Sequence, residues 1–362
     1  MASLSQLGNS LYRGDVSYNI VGRRKAWYLV SAILIVLSLA TLGVRGLNLG
    51  IEFKGGAEFS VPLSVANDED ISQARETVLA AGETPSTVTI IGGDTIRIQT
   101  PELSTEASNA LSAALAESFA IDEANIKIQL VGPSWGDEVT KNALQALLVF
   151  LVLVAIFLSI YFEWQMAIAA LIALAHDVLI TVGIYALSGF EVTPASVIGF
   201  LTILGYSLYD TVVVFDKVKE NTHGIHGGSR TTYSEAANLA LNQTLVRSIN
   251  TSVVALLPVL SILIVGVSLL GVGTLNDLAL ALAVGTFVGT YSSIFVATPF
   301  LCQMKERAAE NIALAKRVSA RRKGGDAGND TKLEVTTGAP AVSSAGPRKQ
   351  QVKKTRSGRS GK

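Results

Sequence analysis

The stretch FLTILGYSLYDTVVVF, residues 200–215, decides how this chain is read. It sets Asp210 inside a run that is otherwise lipid-soluble, with Gly205, Tyr206, Ser207 and Tyr209 close by. A carboxylate at the centre of a bilayer costs about 2.5–3.5 kcal/mol on insertion scales, so an intramembrane Asp is read as functional by default.

The surrounding composition supports a membrane setting. The 362 residues are 49% hydrophobic and only 16% charged, outside the usual range for a soluble chain. Windows of about 20 apolar residues, the length that spans a bilayer, occur six times: 27–44, 143–162, about 166–187, 193–215, 248–270 and 278–301. The first is long and lacks a small-residue cleavage pattern after it, so it reads as a retained span and not as a signal peptide. The single cysteine, Cys302, leaves no disulfide framework and no cysteine metal site.

Basic residues orient the spans. Arg13, Arg23, Arg24 and Lys25 precede the first; Lys217, Lys219, Arg230 and Arg247 separate the fourth from the fifth; a basic tail follows the sixth. The short loops 188–193 and 271–276 carry neither Lys nor Arg. By the positive-inside rule both termini are cytoplasmic. About 90 residues between the first two spans then lie on the outer face. They read as a strand interrupted by Gly55 and Gly56, an amphipathic helix with an acidic first turn, a hairpin turning at residues 92–94, a helix with Ser104 at its cap, and a last strand. That β-α-β-β-α-β order is the ferredoxin-like arrangement. The expected division is a cytoplasmic segment 1–26, a first span 27–47, the external domain 48–140, a five-helix bundle 141–302 with a cytoplasmic loop at about 216–247, and a disordered basic tail 303–362.

Polar residues within the spans are the candidate functional groups. The fourth places Gly199, Ile203, Tyr206 and Asp210 on one face, with Gly199 and Gly205 for close helix approach and Ser207 and Thr211 alongside. The fifth puts Arg247, Thr251, Val254 and Pro258 on one face with Asn250 adjacent. Arg247 has two available placements, snorkelling at the cytoplasmic boundary or turning inward to meet Asp210. The sixth has a Gly285-x-x-x-Gly289 packing motif and hydroxyls at Thr286, Thr290, Ser292 and Ser293; the third has His176 and Asp177 in mid-span. Taken singly, these hydroxyls read as helix glue. Asp137 and Glu138 read as the acidic start of the second span's helix.

Several chemistries are not supported. No G-x-x-x-x-G-K-[ST] phosphate loop, H-E-x-x-H motif or nucleophile elbow occurs, so an enzyme is not expected. His223 and His226 sit in a glycine-containing loop without a third ligand and read as solvated. Residues 302–362 hold about 15 Lys/Arg against about 5 Asp/Glu. Such a tail enforces topology and solubility, with anionic lipid, ribosomal RNA or an acidic partner as sharper alternatives.

Five motifs in order, VGRRKAWY (21–28), IEFKGGAEF (51–59), LGYSLYDTVVVFDKVKE (204–220), LNQTLVRSINTS (241–252) and VGTYSSIFVATP (288–299), resemble the SecF family of protein-export membrane proteins. The SecD/SecF family shares its six-span unit with resistance-nodulation-division transporters. The resemblance implies work with SecD beside the SecYEG channel, driving preproteins across the plasma membrane after the SecA ATPase, with protons as the coupling ion and no other cofactor. It places the proton-path carboxylate at Asp210 and its arginine at Arg247. Glu52, where the family often has Asp, keeps the charge. Two other functions fit the same residues: an exporter of small molecules or lipids, and a passive scaffold of the channel.

Overall fold

The computed structural model describes residues 4–91, 93–265 and 273–323. A short helix α1 (Leu4–Arg13) precedes α2 (Arg24–Arg45). There follow β1 (Asn48–Leu49), α3 (Ile51–Lys54), β2 (Gly56–Pro62), α4 (Asp68–Ala80), β3 (Thr87–Ile91), β4 (Thr95–Thr100), α5 (Thr105–Ser118) and β5 (Lys127–Val131). The rest is α6 (Pro133–Tyr161), α7 (Trp164–Ser188), β6 (Glu191–Val192), α8 (Pro194–Thr222), α9 (Tyr233–Val265), α10 (Gly273–Ser292), a π-helical turn (Ser293–Ala297), α11 (Thr298–Glu306) and α12 (Ala309–Lys323). Six of the described helical segments are long and apolar enough to span a membrane. Many of their outward side chains, such as Leu29, Leu148, Ile160 and Val254, are exposed.

The sheet domain is a four-stranded antiparallel sheet ordered β3-β4-β2-β5. Alternation makes it: Phe59 and Val61 on β2, with Ile96 and Ile98 on β4, send their side chains into a core shared with Ala74 and Val78 of α4 and Leu111 and Leu115 of α5. Asn67 begins α4 with a capping box closed by Asp70, and Ser104 caps α5 as its position suggested. The stretch before the glycine pair is not strand. Ile51–Lys54 is a helical turn, and the strand begins at Gly56. Gly55 (φ 74°) and Gly56 (φ 141°) adopt backbone that L side chains rarely take, and a Cβ on Gly56 would lie 2.5 Å from the Thr100 carbonyl oxygen. The hairpin turn at residues 92–94 falls partly outside the described residues.

Within the bundle, small residues set the helix spacing. A Cβ on Gly199 would meet Ala281, one on Gly285 would meet Ile203, and one on Gly289 would lie 2.8 Å from Ser207 Cβ. This glycine seam brings α8 and α10 together. Gly183 plays the same part between α7 and α2, where its Cβ would collide with Ser38. Gly205 does not: nothing lies within 4 Å of its missing Cβ, and it is exposed. It occupies the seam helix on the wrong side of the seam.

Three segments are more ordered than the sequence suggested. α6 starts at Pro133, ahead of the expected domain boundary at 140, because Pro133 is favourable at a first helical position. The expected loop 216–247 is mostly helix: α8 runs to Thr222 and α9 starts at Tyr233, held by a Lys217–Glu220 pair at 2.8 Å and an Asn221–Gln243 hydrogen bond at 2.9 Å. The start of the expected disordered tail is also helical. α11 runs to Glu306, and α12 buries Asn311, Leu314 and Val318, while Arg322 meets both carboxylate oxygens of Glu235 at 2.8 and 2.9 Å. His226, read as solvated, is exposed, and its Nε2 lies 2.9 Å from Asn311 Oδ1. Residues 324–362, with the distal basic cluster, lie outside the described residues.

Candidate functional site

Asp210 is 7% exposed on α8. Its Oδ1 accepts from Ser248 Oγ of α9 at 2.7 Å, and its Oδ2 accepts from Ser293 Oγ at 2.5 Å. Asp177 on α7 is 1% exposed and built the same way. Its Oδ2 accepts from Ser207 Oγ of α8 at 2.5 Å and from Ser292 Oγ of α10 at 2.8 Å; His176 Nδ1 lies 3.1 Å from Oδ1. Two buried carboxylates are thus each clasped by two serines, and the consecutive residues Ser292 and Ser293 serve one each. The π turn starts at Ser293. Such turns recur at functional sites.

A hydroxyl both donates and accepts. A serine can donate to a carboxylate and, after rotating its proton, accept from a carboxylic acid. Both protonation states of Asp210 and Asp177 therefore keep hydrogen-bond partners, whereas an arginine partner would favour the charged form alone. The arrangement can carry a proton without leaving a polar group stranded.

The sequence-derived candidates divide. Asp210, Asp177, Ser207, Ser292 and Ser293 come together; Thr211 is buried beside Asp210. Tyr206 is half-buried, its hydroxyl 3.5 Å from Ser252 Oγ, which is in turn 2.5 Å from Thr290 Oγ1. Arg247 does not meet Asp210: it is exposed, with Nη2 donating to Tyr209 Oη at 3.4 Å. Asn250 is exposed, and Thr251 donates back to the Arg247 carbonyl at 2.8 Å. The inward face of α9 is Leu241, Thr244, Ser248 and Ser252, one residue out of phase with the face expected. The run of small and polar residues at that spacing was the signal for Ser248 and Ser252.

A second polar cluster joins the sheet domain to the bundle. β1 and β6 pair in parallel, which puts Glu191, just past the end of α7, against the domain. Arg97 Nη2 of β4 lies 2.6 Å from Glu191 Oε2, and Gln99 Nε2 donates to Glu191 Oε1 at 2.7 Å and to Glu58 Oε2 at 3.0 Å. Burial, then the neighbouring Glu191 and Glu58 charges, push the nearby Glu52 carboxyl above its usual range; its own backbone hydrogen bond and Arg97 act against this. Among the described residues no cluster of His, Cys, Asp and Glu could hold a metal ion.

Comparison with known proteins agrees with this architecture. The family model "Protein export membrane protein SecD/SecF, C-terminal" matches residues 111–307, which include both clasped carboxylates and all four of their serines. The model "SecD/SecF GG Motif" matches residues 40–66, around Gly55 and Gly56. The protein translocase subunit SecF of Streptomyces coelicolor is 47% identical over 98% of this chain and 97% of its own length. That of Mycobacterium tuberculosis is 45% identical, covering 87% of this chain and 73% of its own. The crystal structure of SecDF, a translocon-associated membrane protein from Thermus thermophilus, superposes with a TM-score of 0.70 at 31% identity. It matches 81% of this chain, which spans 39% of that longer one.

Proposed function

The chain belongs to the SecD/SecF family of protein-export membrane proteins as a SecF-type translocase subunit, and we propose that it couples the proton-motive force to late stages of preprotein translocation, with Asp210 as the coupling carboxylate. The observation that carries this reading is a buried carboxylate whose two hydroxyl partners, Ser248 and Ser293, suit both of its protonation states. A proton crossing a potential of 100 mV releases about 2.3 kcal/mol, enough to bias the packing of helices whose contacts differ by that amount.

In this reading both termini are cytoplasmic, the membrane is the bacterial plasma membrane, and the sheet domain is extracytoplasmic and ferredoxin-like, as its sheet order supports. A SecD subunit supplies the remainder of the longer SecDF-like unit, and the SecYEG channel and SecA act on the same preprotein. Arg247 stands at the mouth of the pathway beside Tyr209. Protons are the only coupling ion, and no bond of a substrate is broken. The basic cluster at 316–323 contacts anionic lipid, and the distal cluster contacts ribosomal RNA or an acidic partner.

The test is preprotein translocation into inverted membrane vesicles with the SecD partner present, comparing wild type with Asp210→Asn under an imposed proton gradient. The gradient-dependent component is expected to disappear in the variant while its expression is unchanged. Equal gradient response in both would return Asp210 to helix packing and leave the chain a scaffold.

A further inference from the structure

The chain carries more intramembrane acid chemistry than one coupling carboxylate requires. Resting on the reading of Asp210 above, we propose that Asp177 is a second proton-carrying carboxylate in series with Asp210, nearer the sheet domain, with the Ser292–Ser293 hydroxyls as the step between them.

The order along the bundle follows from the direction of the chain. α7 runs toward the sheet domain, ending just before Glu191, and α8 starts there and runs away. Ser207, which holds Asp177, precedes Asp210 on α8 by three residues, about 4.5 Å of helix rise. On the other wall Ser292, serving Asp177, likewise precedes Ser293, serving Asp210. Asp177 therefore sits about 1.5–4.5 Å closer to the domain, by the rise between these pairs.

A cavity of about 20 Å³ opens from Asp177 in that same direction. Its other walls are Val178, Thr181 and Val182, which follow Asp177 on α7, and Phe200, Ile203 and Leu204, which precede Ser207 on α8. One water needs roughly 10–15 Å³ and two or more polar partners. The cavity's lining is almost wholly apolar, so it is free space beside Asp177 on the side away from Asp210 and not a built water site.

The charged and titratable groups around Asp177 fit a carrier better than a fixed ion pair. From its own helix comes His176, whose Nε2 is buried without a hydrogen-bond partner while Nδ1 faces Asp177. From α10 comes Tyr291, its ring 6.0 Å from that imidazole. From α8 comes Asp210, reached through the two serines. Among the described residues, the only ion-pair contact of Asp177 is with His176. A carboxylate placed only to glue helices would be expected to have a permanent cation; this one faces hydroxyls and an imidazole, all able to take or give a proton.

The test is pH-difference infrared spectroscopy of the protein with its SecD partner in lipid, read at the carbonyl stretch of buried protonated carboxyls. Asp210→Asn should remove one titrating band. Ser207→Ala, which touches Asp177 and not Asp210, should shift the frequency of another while leaving the Asp177 side chain in place. A spectrum in which no band responds to Ser207→Ala overturns the role of Asp177. Failure of Asp210→Asn to remove a band overturns the Asp210 reading instead. In gradient-driven translocation, Asp177→Asn should lose about tenfold or more of the gradient response, as expected when a positioned proton-transfer group is deleted. Asp177→Glu should recover part of it. A full response in Asp177→Asn beside a lost one in Asp210→Asn returns Asp177 to packing and leaves Asp210 standing. Should Asp177→Asn fail to fold, the Ser207→Ala spectrum decides.

Discussion

Removing Arg97 should release the sheet domain from the bundle. Glu191 is 4% exposed, and its cationic partner is the Arg97 guanidinium, 2.6 Å away. Breaking a buried pair from one side costs about 3–5 kcal/mol, because the remaining charge is left without compensation. Gln99 still donates to Glu191 at 2.7 Å, which holds the loss toward the lower end of that range. A cost of about 3 kcal/mol moves the docking equilibrium by about two decades. The assay is the distance distribution between a label on the exposed side of the sheet domain and one at the β6 end of the bundle, in Arg97→Ala, Glu191→Gln and the double variant. Arg97→Ala alone should populate a longer distance. The double variant should fall close to Glu191→Gln, because neutralising Glu191 removes the stranded charge. Independent effects, with a coupling below about 0.5 kcal/mol, would refute the reasoning that these two residues hold the joint.

Other predictions concern separate parts of the molecule. Gly289→Ala would drive a Cβ to 2.8 Å from Ser207 Cβ, and should lower thermal stability by about 1–3 kcal/mol as an overpacked contact. Gly205→Ala meets nothing within 4 Å, and should raise stability by up to about 1 kcal/mol through helix propensity. Glu52, whose carboxyl is raised above its ordinary 4.5, stabilises the folded joint in its neutral form. That contribution is complete below pH 4.5, the unfolded value, and fades as pH rises through the raised folded value. Hydrogen exchange at β1 and α3 should thus accelerate with rising pH beyond its chemical trend, and Glu52→Gln should remove the excess. On α12, Leu314→Ala deletes a fully buried side chain and should cost about 2–5 kcal/mol. Arg322→Ala breaks an exposed pair and should cost at most about 1 kcal/mol, with salt masking the difference; protease cleavage of α12 measures both.

What was legible in the sequence follows from which signals are local. Span lengths, the acidic first turn of α4 and the cap at Ser104 each depend on a few neighbouring residues, and they reappear in the structure. Asp210 was legible because a carboxylate in an apolar run is costly wherever it points. Helix phase was not. On α9 a slip of one residue, about 100° of rotation, turned the expected inward face into Arg247 and Thr251 and hid Ser248 and Ser252. The same uncertainty left Gly205 looking like a packing glycine. The tail failed for another reason: α12 buries only Asn311, Leu314 and Val318, too few apolar positions to stand out among its basic residues, and it is fixed by Asn311 to His226 and Arg322 to Glu235, pairings 85 and 87 residues apart. The equivalence of Asp177 and Asp210 needed α7 to α10 and the π turn in place, since only the serines of α8, α9, α10 and that turn reveal it.

A mechanism that moves the sheet domain needs a physical link from the carboxylates to it, and α7 supplies one. From Asp177 to Ser188 it rises about 17 Å. Past its end, Gly189 takes φ 74° to turn the chain into β6, where Glu191 meets Arg97. The helix is held along its length: Gly183 lies against Ser38 of α2, and the Tyr185 hydroxyl donates to the Asp277 carbonyl of α10. A segment so packed cannot absorb a change at one end by bending, because close-packed interiors transmit displacement. Protonating Asp177 loosens its charge-assisted bonds to Ser207 and Ser292, which lie on α8 and α10, so the shift in α7 is measured against those helices. Its far end is Glu191, the residue that grips the domain. The two polar clusters are thus the two ends of one helix, and under the proposed coupling Ser207→Ala and Arg97→Ala should each remove a gradient-dependent change in the domain-to-bundle label distance.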